Sequence, residues 1–363
     1  MASIITHPDQ VTPEWLTSAL CEAGALRTGR VASVQGFGDA AREWSLSRRL
    51  RISYEPGSDG RCPRALFVKV VNMLVDPDDV ILPSEVHYYR RDYVGVEGVP
   101  LVPCYGARHD DDVGYYYVLL EDLSETHVNH SEEAAIPVDE QQALALVEGL
   151  AILHAHLWGN ERMASVGYRP HEPDLLNRFV EMARPGVEHI VGTWGDELVS
   201  HWPQAMQDIF DGLPALMRAR NRDASSLTVI HGDVGPENVF FPRQGARPTF
   251  VIDRQPFDWS LTTWLGVYDV AFATVLYWNP EARRRLEETM LRRYHDVLEA
   301  HGVTNYSRRK LNDDYRLSIL SCVAVATEWC RGRPNASKKH IWMPMLRKAL
   351  VAVDDLHCRD LLC

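Results

Sequence analysis

Residues 227–255 read LTVIHGDVGPENVFFPRQGARPTFVIDRQ. In this stretch, polar residues lie next to the ends of short apolar runs. The apolar run Leu227–Ile230 predicts a strand that leads into Asp233. Asn238 opens a second short apolar run, and after a turn a further strand ends in Asp253. The stretch therefore predicts two acids and an amide next to the ends of strands.

These three side chains suit phosphoryl transfer, which needs an acceptor hydroxyl held in line and metal ions that neutralise the phosphates. Asp233 is a candidate base for the hydroxyl proton. Asn238 and Asp253 offer hard oxygen ligands, which suit Mg²⁺ better than zinc. The triplet HGD alone is also typical of a polar turn between strands, so the hypothesis depends on the full spacing.

The spacing HGDxxxxN, followed by an acid twenty positions after the first, resembles the aminoglycoside phosphotransferases, choline kinases and ecdysteroid-kinase-like proteins. Protein kinases place HRDxxxxN and a DFG acid in the same order. This chain reads HGDVGPEN and then IDRQ, which is the small-molecule kinase version of that pattern. No segment ending in APE is visible in the sequence, which disfavours a protein-kinase role.

The resemblance implies an α+β, bilobal protein-kinase-like fold with a small β-rich N-terminal lobe and a larger helical C-terminal lobe. The length of 363 residues agrees, since it exceeds the usual size of one hydrophobic core. We expect a nucleotide-binding lobe over residues 1–120 and a catalytic, acceptor-binding lobe over residues 121–363, with the hinge near 120–124. Thr12 followed by Pro13 predicts the start of a first helix.

A single lysine, Lys69, interrupts the apolar run ALFVKVV. An unpaired ammonium is costly to bury, so such a lysine either faces solvent or meets a counter-charge. The resemblance implies that Lys69 binds the nucleotide phosphates and pairs with Glu85 on the following helix. The alternative is an edge-strand lysine together with a solvated glutamate at the start of a helix.

Two further segments of the N-terminal lobe are candidates for nucleotide contact. The runs VASVQGF and WSLSRRLRISY predict a hairpin, and Gly36 and Gly38 near its turn would let backbone amides approach phosphates. An ordinary hairpin turn is the alternative. GYYYVLLEDL predicts the last strand of the lobe, and the resemblance implies that the carbonyl of Glu121 and the amide of Leu123 bind the adenine.

The C-terminal lobe carries residues that the resemblance places around the catalytic loop. His231 and Asp269 are implied to support that loop, the acid as a helix cap. The run QQALALVEGLAILHAHLW predicts an amphipathic helix, in which His154 and His156 pack in the core rather than bind a metal. Candidates for the acceptor side, with core packing as the alternative for the tryptophans, are Asp258, Trp259, Trp264, Glu328 and Trp329.

Composition limits the partners of this chain. The formal net charge of −12 disfavours nucleic acid and anionic membranes, and it favours a cationic acceptor unless it only aids solubility. The seven cysteines show no CxxC spacing and are expected to be reduced thiols. Neither a signal-peptide pattern nor an apolar run long enough to span a bilayer is visible, so we expect a cytoplasmic protein without membrane partners.

Together these features predict a kinase that transfers phosphate from ATP, with GTP as the alternative donor, to a hydroxyl of a small molecule with the help of Mg²⁺. The favoured acceptor is an antibiotic of aminoglycoside, nucleoside or macrolide type, phosphorylated as a resistance or tailoring step. Choline-like amino alcohols, sugars and steroid alcohols are the alternatives, because a fold does not fix a substrate. The alternative of another class is a catalytically silent kinase-fold protein that binds a nucleotide or metabolite. The oligomeric state stays open.

Overall fold

The computed structural model describes residues 2–74, 79–130, 139–245 and 247–362. The chain divides into two compact units, which we call the sheet unit and the helical unit. The sheet unit comprises Met1–Gly95, Leu101–Val128 and Pro242–Asp258, and the helical unit comprises Val96–Pro100, Asn129–Phe241 and Trp259–Cys363. The lobe bounds of 1–120 and 121–363, with a hinge near 120–124, stay a prediction.

The strands of the sheet unit form one main antiparallel sheet. In chain order the strands of the whole chain are β1 (Leu26–Thr28), β2 (Val31–Ala41), β3 (Ser45–Tyr54), β4 (Asp59–Gly60), β5 (Ala65–Asn72), β6 (Cys104–Asp110), β7 (Tyr115–Glu121), β8 (His127–Val128), β9 (Thr228–Val229), β10 (Val239–Pro242), β11 (Phe250–Val251) and β12 (Thr263–Trp264). The main sheet has the order β2-β3-β5-β7-β6, and β1 pairs with β4 beside it. In the helical unit β9 and β12 form a short antiparallel pair.

The central position of β5 decides the environment of its lysine. β5 pairs with β3 on one side and with β7 on the other. Lys69 lies opposite Ser47 on β3 and Val118 on β7, between the buried side chains of Val68 and Val70. The alternative of an edge-strand lysine is therefore excluded.

The two glycines of the first hairpin lie inside β2, where the sequence pattern predicted the approach to a turn. Gly38 has a φ of 63°, and the register between β2 and β3 shifts between Phe37 and Ala40. A residue without a Cβ adopts this left-handed conformation at low cost, so the strand continues through a β-bulge. The hairpin turn thus comes later than expected, and phosphate contact by Gly36 and Gly38 stays a prediction.

The helices supply most of the helical unit. They are α1 (Pro13–Glu22), α2 (Ser84–His87), α3 (Glu140–His156), α4 (Asn160–Ser165), α5 (Pro173–Glu181), α6 (Arg184–Trp194), α7 (Trp202–Asn221), α8 (Val267–Tyr277), α9 (Pro280–Ala300), α10 (Arg308–Glu328) and α11 (Lys339–Asp355). α1 and α2 belong to the sheet unit, and the hydroxyl of Thr12 accepts the amide of Trp15, which confirms the predicted helix start. α8 is buried along almost its whole length and packs against α10 and α11. Within the described residues, no helix combines the length and apolar character that a membrane crossing requires.

His171 connects the segment before α5 to strand β12. Its Nε2 accepts hydrogen bonds from the backbone amides of Thr262 (2.9 Å) and Thr263 (3.1 Å). A ring nitrogen accepts only when it carries no proton, so these contacts require a neutral imidazole. Burial lowers the pKa of His171 from 6.5 to about 4.

The helical unit is therefore expected to lose stability as the pH falls from 6.5 to about 4. In this window the unfolded chain binds a proton at His171 that the folded chain does not, which lowers the free energy of unfolding by about 3 kcal/mol in total. His171→Gln keeps an acceptor oxygen that does not titrate, so urea unfolding between pH 7 and pH 4 should show a shallower slope for this variant. His340→Gln, an exposed control, should keep the wild-type slope. An unchanged slope in His171→Gln would contradict the assignment.

Candidate active site

The amine of Lys69 lies between two carboxylates of the sheet unit. Its Nζ is 3.0 Å from Oε2 of Glu85 and donates a second, short hydrogen bond to Oδ1 of Asp253. The side chains of Lys69 and Glu85 are 11% and 2% exposed, whereas that of Asp253 is 45% exposed. The amine is thus paired with a buried carboxylate, that of Glu85, and with a partly exposed one, that of Asp253.

Electrostatics keep this lysine charged. Burial opposes the charge of Lys69, but the carboxylates of Asp253 and Glu85 more than offset it and hold its pKa well above the ordinary value. Burial raises the pKa of Glu85, although the neighbouring amine acts in the opposite direction. A fixed, permanently charged ammonium beside an open carboxylate is suited to phosphate oxygens and a bound cation.

Asp253 has an unusual backbone conformation. It follows strand β11 and has a φ of 61°, in the left-handed region that few residues other than glycine adopt. Such a conformation costs about 1–3 kcal/mol and persists only where the surroundings hold it, most often at functional sites. Because Cys62 and His357 also have positive φ, the conformation alone assigns no function to Asp253, and its functional role stays a prediction.

Asp233 and Asn238 lie together in the loop between β9 and β10. The side-chain amide nitrogen of Asn238 donates to the backbone carbonyl of Asp233 (3.0 Å) and to its Oδ2 (3.1 Å). Nδ1 of the fully buried His231 accepts the backbone amide of Asp233 at 3.3 Å. Asn238 is 5% exposed, whereas Asp233 is only partly buried. The loop thus holds one carboxylate in a fixed orientation next to solvent.

Asp269 supports this loop from α8. Its Oδ2 accepts the backbone amide of His231 at 2.7 Å, and its Oδ1 accepts that of Gly232 at 2.9 Å. The expected role as a helix cap is wrong, since Gly266 is the N-cap of α8 and Asp269 is the third helical residue. One turn into the helix, the carboxylate reaches two amides of the preceding loop instead of those of its own first turn.

Sequence reasoning missed the partner of Asp269 on α3. Nε2 of His154 is 3.0 Å from Oδ2 of Asp269, and its Nδ1 is 2.8 Å from the hydroxyl of Tyr294 on α9. Burial raises the pKa of Asp269, but His154 and His231 outweigh it and hold that pKa below the ordinary value. His154 was expected to pack in the core, and it does so as part of a polar network. The helical period shows only that it faces inward.

Asp269→Asn is expected to lower the free energy of unfolding by about 3 kcal/mol, since it removes a buried charge that accepts several hydrogen bonds. Asparagine has one acceptor oxygen where aspartate has two. Its NH₂ group would therefore face either a backbone amide or His154 in place of an acceptor oxygen. Urea unfolding at pH 7 measures the loss. Asp313→Asn, on the exposed face of α10, should change stability by less than about 1 kcal/mol. Equal stability of the two variants would show that Asp269 does not hold the loop.

Asn238 and Asp253 each carry oxygen atoms of the kind that bind a hard cation. The two hydrogen bonds from the Asn238 side chain to Asp233 both use its amide nitrogen, so its metal ligand would be the amide oxygen. Asp253 offers carboxylate oxygens on a partly exposed side chain. Oxygen ligands of this kind are those that Mg²⁺ binds in proteins. The metal roles of Asn238 and Asp253 stay predictions.

Of the two residues expected at the hinge, Glu121 is the last residue of β7 and Leu123 lies two positions after it. Oε2 of Glu121 is 2.6 Å from Nη2 of Arg61 and 3.0 Å from the hydroxyl of Tyr105. The carbonyl of Leu123 accepts the backbone amides of Thr126 and His127, which turns the chain just past the strand. Adenine binding by the backbone of Glu121 and Leu123 stays a prediction.

The residues expected on the acceptor side differ in their surroundings. Trp264 is fully buried on β12, which leaves the core-packing interpretation for its ring. Trp259 lies 5.7 Å from the guanidinium of Arg331, which pairs with Glu328 at 3.1 Å. This cluster therefore holds a cation on an aromatic face, although sequence reasoning did not single out Arg331. The remaining two candidates make backbone contacts: the carbonyl of Trp329 accepts from Asn335, and the amide of Asp258 donates to Val80.

Comparison with known proteins supports the architecture. No family model matches the sequence, and no curated protein matches it significantly. Among solved structures, an ethanolamine kinase of Plasmodium vivax matches with a TM-score of 0.52 and 10% identity, over 90% of this chain and 84% of that one. A choline kinase from Cryptosporidium parvum Iowa II gives 0.51 and 10%, over 91% and 89%. A microcompartment-associated aminopropanol kinase gives 0.50 and 12%, over 90% and 94%. The predicted α+β, protein-kinase-like fold is confirmed, and the chain has the fold of these small-molecule kinases.

Proposed function

We propose that this chain is a phosphotransferase that uses a nucleoside triphosphate and Mg²⁺ to phosphorylate a hydroxyl group of a small molecule. The observation that carries the proposal is the cluster of Lys69, Glu85 and Asp253. A buried, charged amine and a strained, exposed carboxylate stand next to each other in it. This combination has little value for stability and suits a phosphate chain with its metal ion.

In the proposed reaction, each residue of the site has a separate role. Lys69 binds phosphate oxygens of the nucleotide, and Glu85 keeps its amine in place. Asp233 orients the acceptor hydroxyl and takes its proton as the hydroxyl oxygen bonds to the γ-phosphorus and the bond to the β,γ-bridging oxygen breaks. Asn238 and Asp253 would hold Mg²⁺, which neutralises charge on the phosphates when bound.

The acceptor is an alcohol whose identity the fold does not fix. The three solved structures reported above carry the names ethanolamine kinase, choline kinase and aminopropanol kinase, and each name refers to a small amino alcohol. A net charge of −12 favours a cationic acceptor of this kind. These observations support an amino alcohol, the alternative acceptor class of the sequence analysis. An antibiotic acceptor stays a prediction.

An acceptor screen tests the proposal. Purified protein is incubated with ATP or GTP and Mg²⁺, together with amino alcohols, sugars, aminoglycosides, nucleosides, macrolides and steroid alcohols. Mass spectrometry then follows the gain of one phosphate. We expect transfer to at least one class, lost in Asp233→Asn. Nucleotide binding without transfer to any acceptor would favour the catalytically silent binding protein. Absence of nucleotide binding would refute the phosphotransferase and leave a silent protein that binds a metabolite as the alternative.

A further inference from the structure

The residue after Asp253 is an arginine whose side chain lies almost wholly inside the sheet unit. Arg254 is 1% exposed and is among the largest fully buried side chains of the described residues. A guanidinium keeps its charge in proteins, so a buried arginine must be paired to be tolerated. In the sequence this position appeared only as a polar residue after the acid of IDRQ.

Arg254 meets its partners on the short helix that follows β5. Its Nη1 is 3.4 Å from Oδ2 of Asp92, whose side chain is completely buried. The guanidinium also lies 5.2 Å from the centre of the Tyr88 ring, within the range of a cation–π contact. Tyr88 and Asp92 are the first and last residues of a π-helical turn that directly continues α2. Turns of this type are rare and often occur at functional sites.

The same helix carries Glu85. Two consecutive residues after β11 are therefore tied to one element: Asp253 through Lys69 and Glu85, and Arg254 through Asp92. The following residues continue this contact, since the hydroxyl of Ser84 donates to the carbonyl of Gln255 at 3.0 Å. Charged contacts therefore join the helix to the segment after β11 at two points, at Glu85 through Lys69 and at Asp92.

We propose that Arg254 is a positioning residue, whose buried pair with Asp92 holds Asp253 and Glu85 at the amine of Lys69. The left-handed backbone of Asp253 lies between two buried residues, Val251 two positions before it and Arg254 directly after it. Anchors on both sides keep a strained residue from relaxing. Without the Arg254 anchor, the segment relaxes and the carboxylate of Asp253 leaves Lys69. The positioning by Arg254 is argued from contacts alone. Only its role in nucleotide binding rests on the proposed function.

Acylation of Lys69 tests the proposal without any need for catalysis. The double variant Arg254→Met with Asp92→Leu removes both charges and fills the space with apolar side chains, which such pairs often tolerate. We expect it to fold while Lys69 reacts with acetic anhydride about tenfold faster than in the wild type, relative to the exposed Lys338 as internal reference. Arg254→Lys, which keeps the charge, should partly restore slow labelling.

A second, largely buried arginine–aspartate pair provides the control. Nε of Arg220 is 2.6 Å from Oδ1 of Asp314 in the helical unit. Arg220→Met with Asp314→Leu should leave the labelling of Lys69 at the wild-type rate. If this control accelerates labelling as strongly, or if the Arg254 double variant labels Lys69 at the wild-type rate, the proposal is overturned.

A replacement variant and a binding measurement complete the test. If the double variant does not fold, Asp92→Asn takes its place, and wild-type labelling of Lys69 in that variant overturns the proposal. In folded variants, the Kd for the nucleotide with Mg²⁺ should rise about tenfold if the proposed function is correct. If the wild type binds no nucleotide, the proposed function fails, whereas the labelling rates still decide whether Arg254 positions the cluster.

Discussion

Asp233→Asn is expected to slow phosphate transfer by a factor of about 10²–10⁴, the usual contribution of a positioned general base. The substitution removes the charge that accepts the hydroxyl proton. It keeps an acceptor oxygen for the amide of Asn238, which donates to Oδ2 of Asp233 at 3.1 Å, so the loop should retain its conformation. Initial rates with the acceptor found in the screen, at saturating nucleotide, measure the effect.

The Michaelis constant for the acceptor should change little in this variant, because the loss occurs when the proton moves rather than when the acceptor binds. Asp313→Asn, with a side chain that is 51% exposed on α10, is the matched control and should transfer phosphate at the wild-type rate. Transfer by Asp233→Asn at that rate would remove Asp233 from the role of base. A loss of nucleotide binding in the same variant would point instead to a misfolded loop.

Much of the fold could be predicted because its signals are local. Thr12 caps the first helix, and α3 covers the run in which apolar residues recur with a helical period. The candidates Lys69, Asp233, Asn238 and Asp253 could be found for a related reason. Each is a polar residue at the end or in the middle of an apolar run, where it must be either paired or functional.

The contacts that hold these candidates could not be predicted, because they join residues far apart in sequence. His154 meets Asp269 across 115 positions, and Arg254 meets Asp92 across 162. A helical period shows that His154 faces inward but not which carboxylate it meets. Arg254 follows the motif acid as a charged residue, which typically predicts a solvent-facing side chain. Only tertiary packing shows that its charge is buried and paired.

Asp253→Asn is expected to weaken nucleotide binding in the presence of Mg²⁺ but not in its absence. With Mg²⁺, loss of a charged ligand should weaken binding of ATP by about 3 kcal/mol, or roughly 10²-fold in Kd. Without Mg²⁺, the carboxylate of Asp253 competes with the phosphates for the amine of Lys69, which it contacts directly. Its removal should therefore leave the affinity for free ATP unchanged or raise it. Isothermal titration calorimetry with Mg²⁺ and with EDTA measures both values.

The variant is suited to this test because asparagine, like aspartate, tolerates the left-handed backbone at this position, where φ is 61°. Lys69 also keeps its ion pair with Glu85 at 3.0 Å, so no buried charge loses its last partner. Asp59→Asn, an exposed acid of the same unit, should leave both affinities unchanged. Equal weakening with and without Mg²⁺ would mean that Asp253 shapes the pocket rather than holds the metal. No weakening in Mg²⁺ would remove the metal role, and the strain at Asp253 would then serve only to hold Lys69.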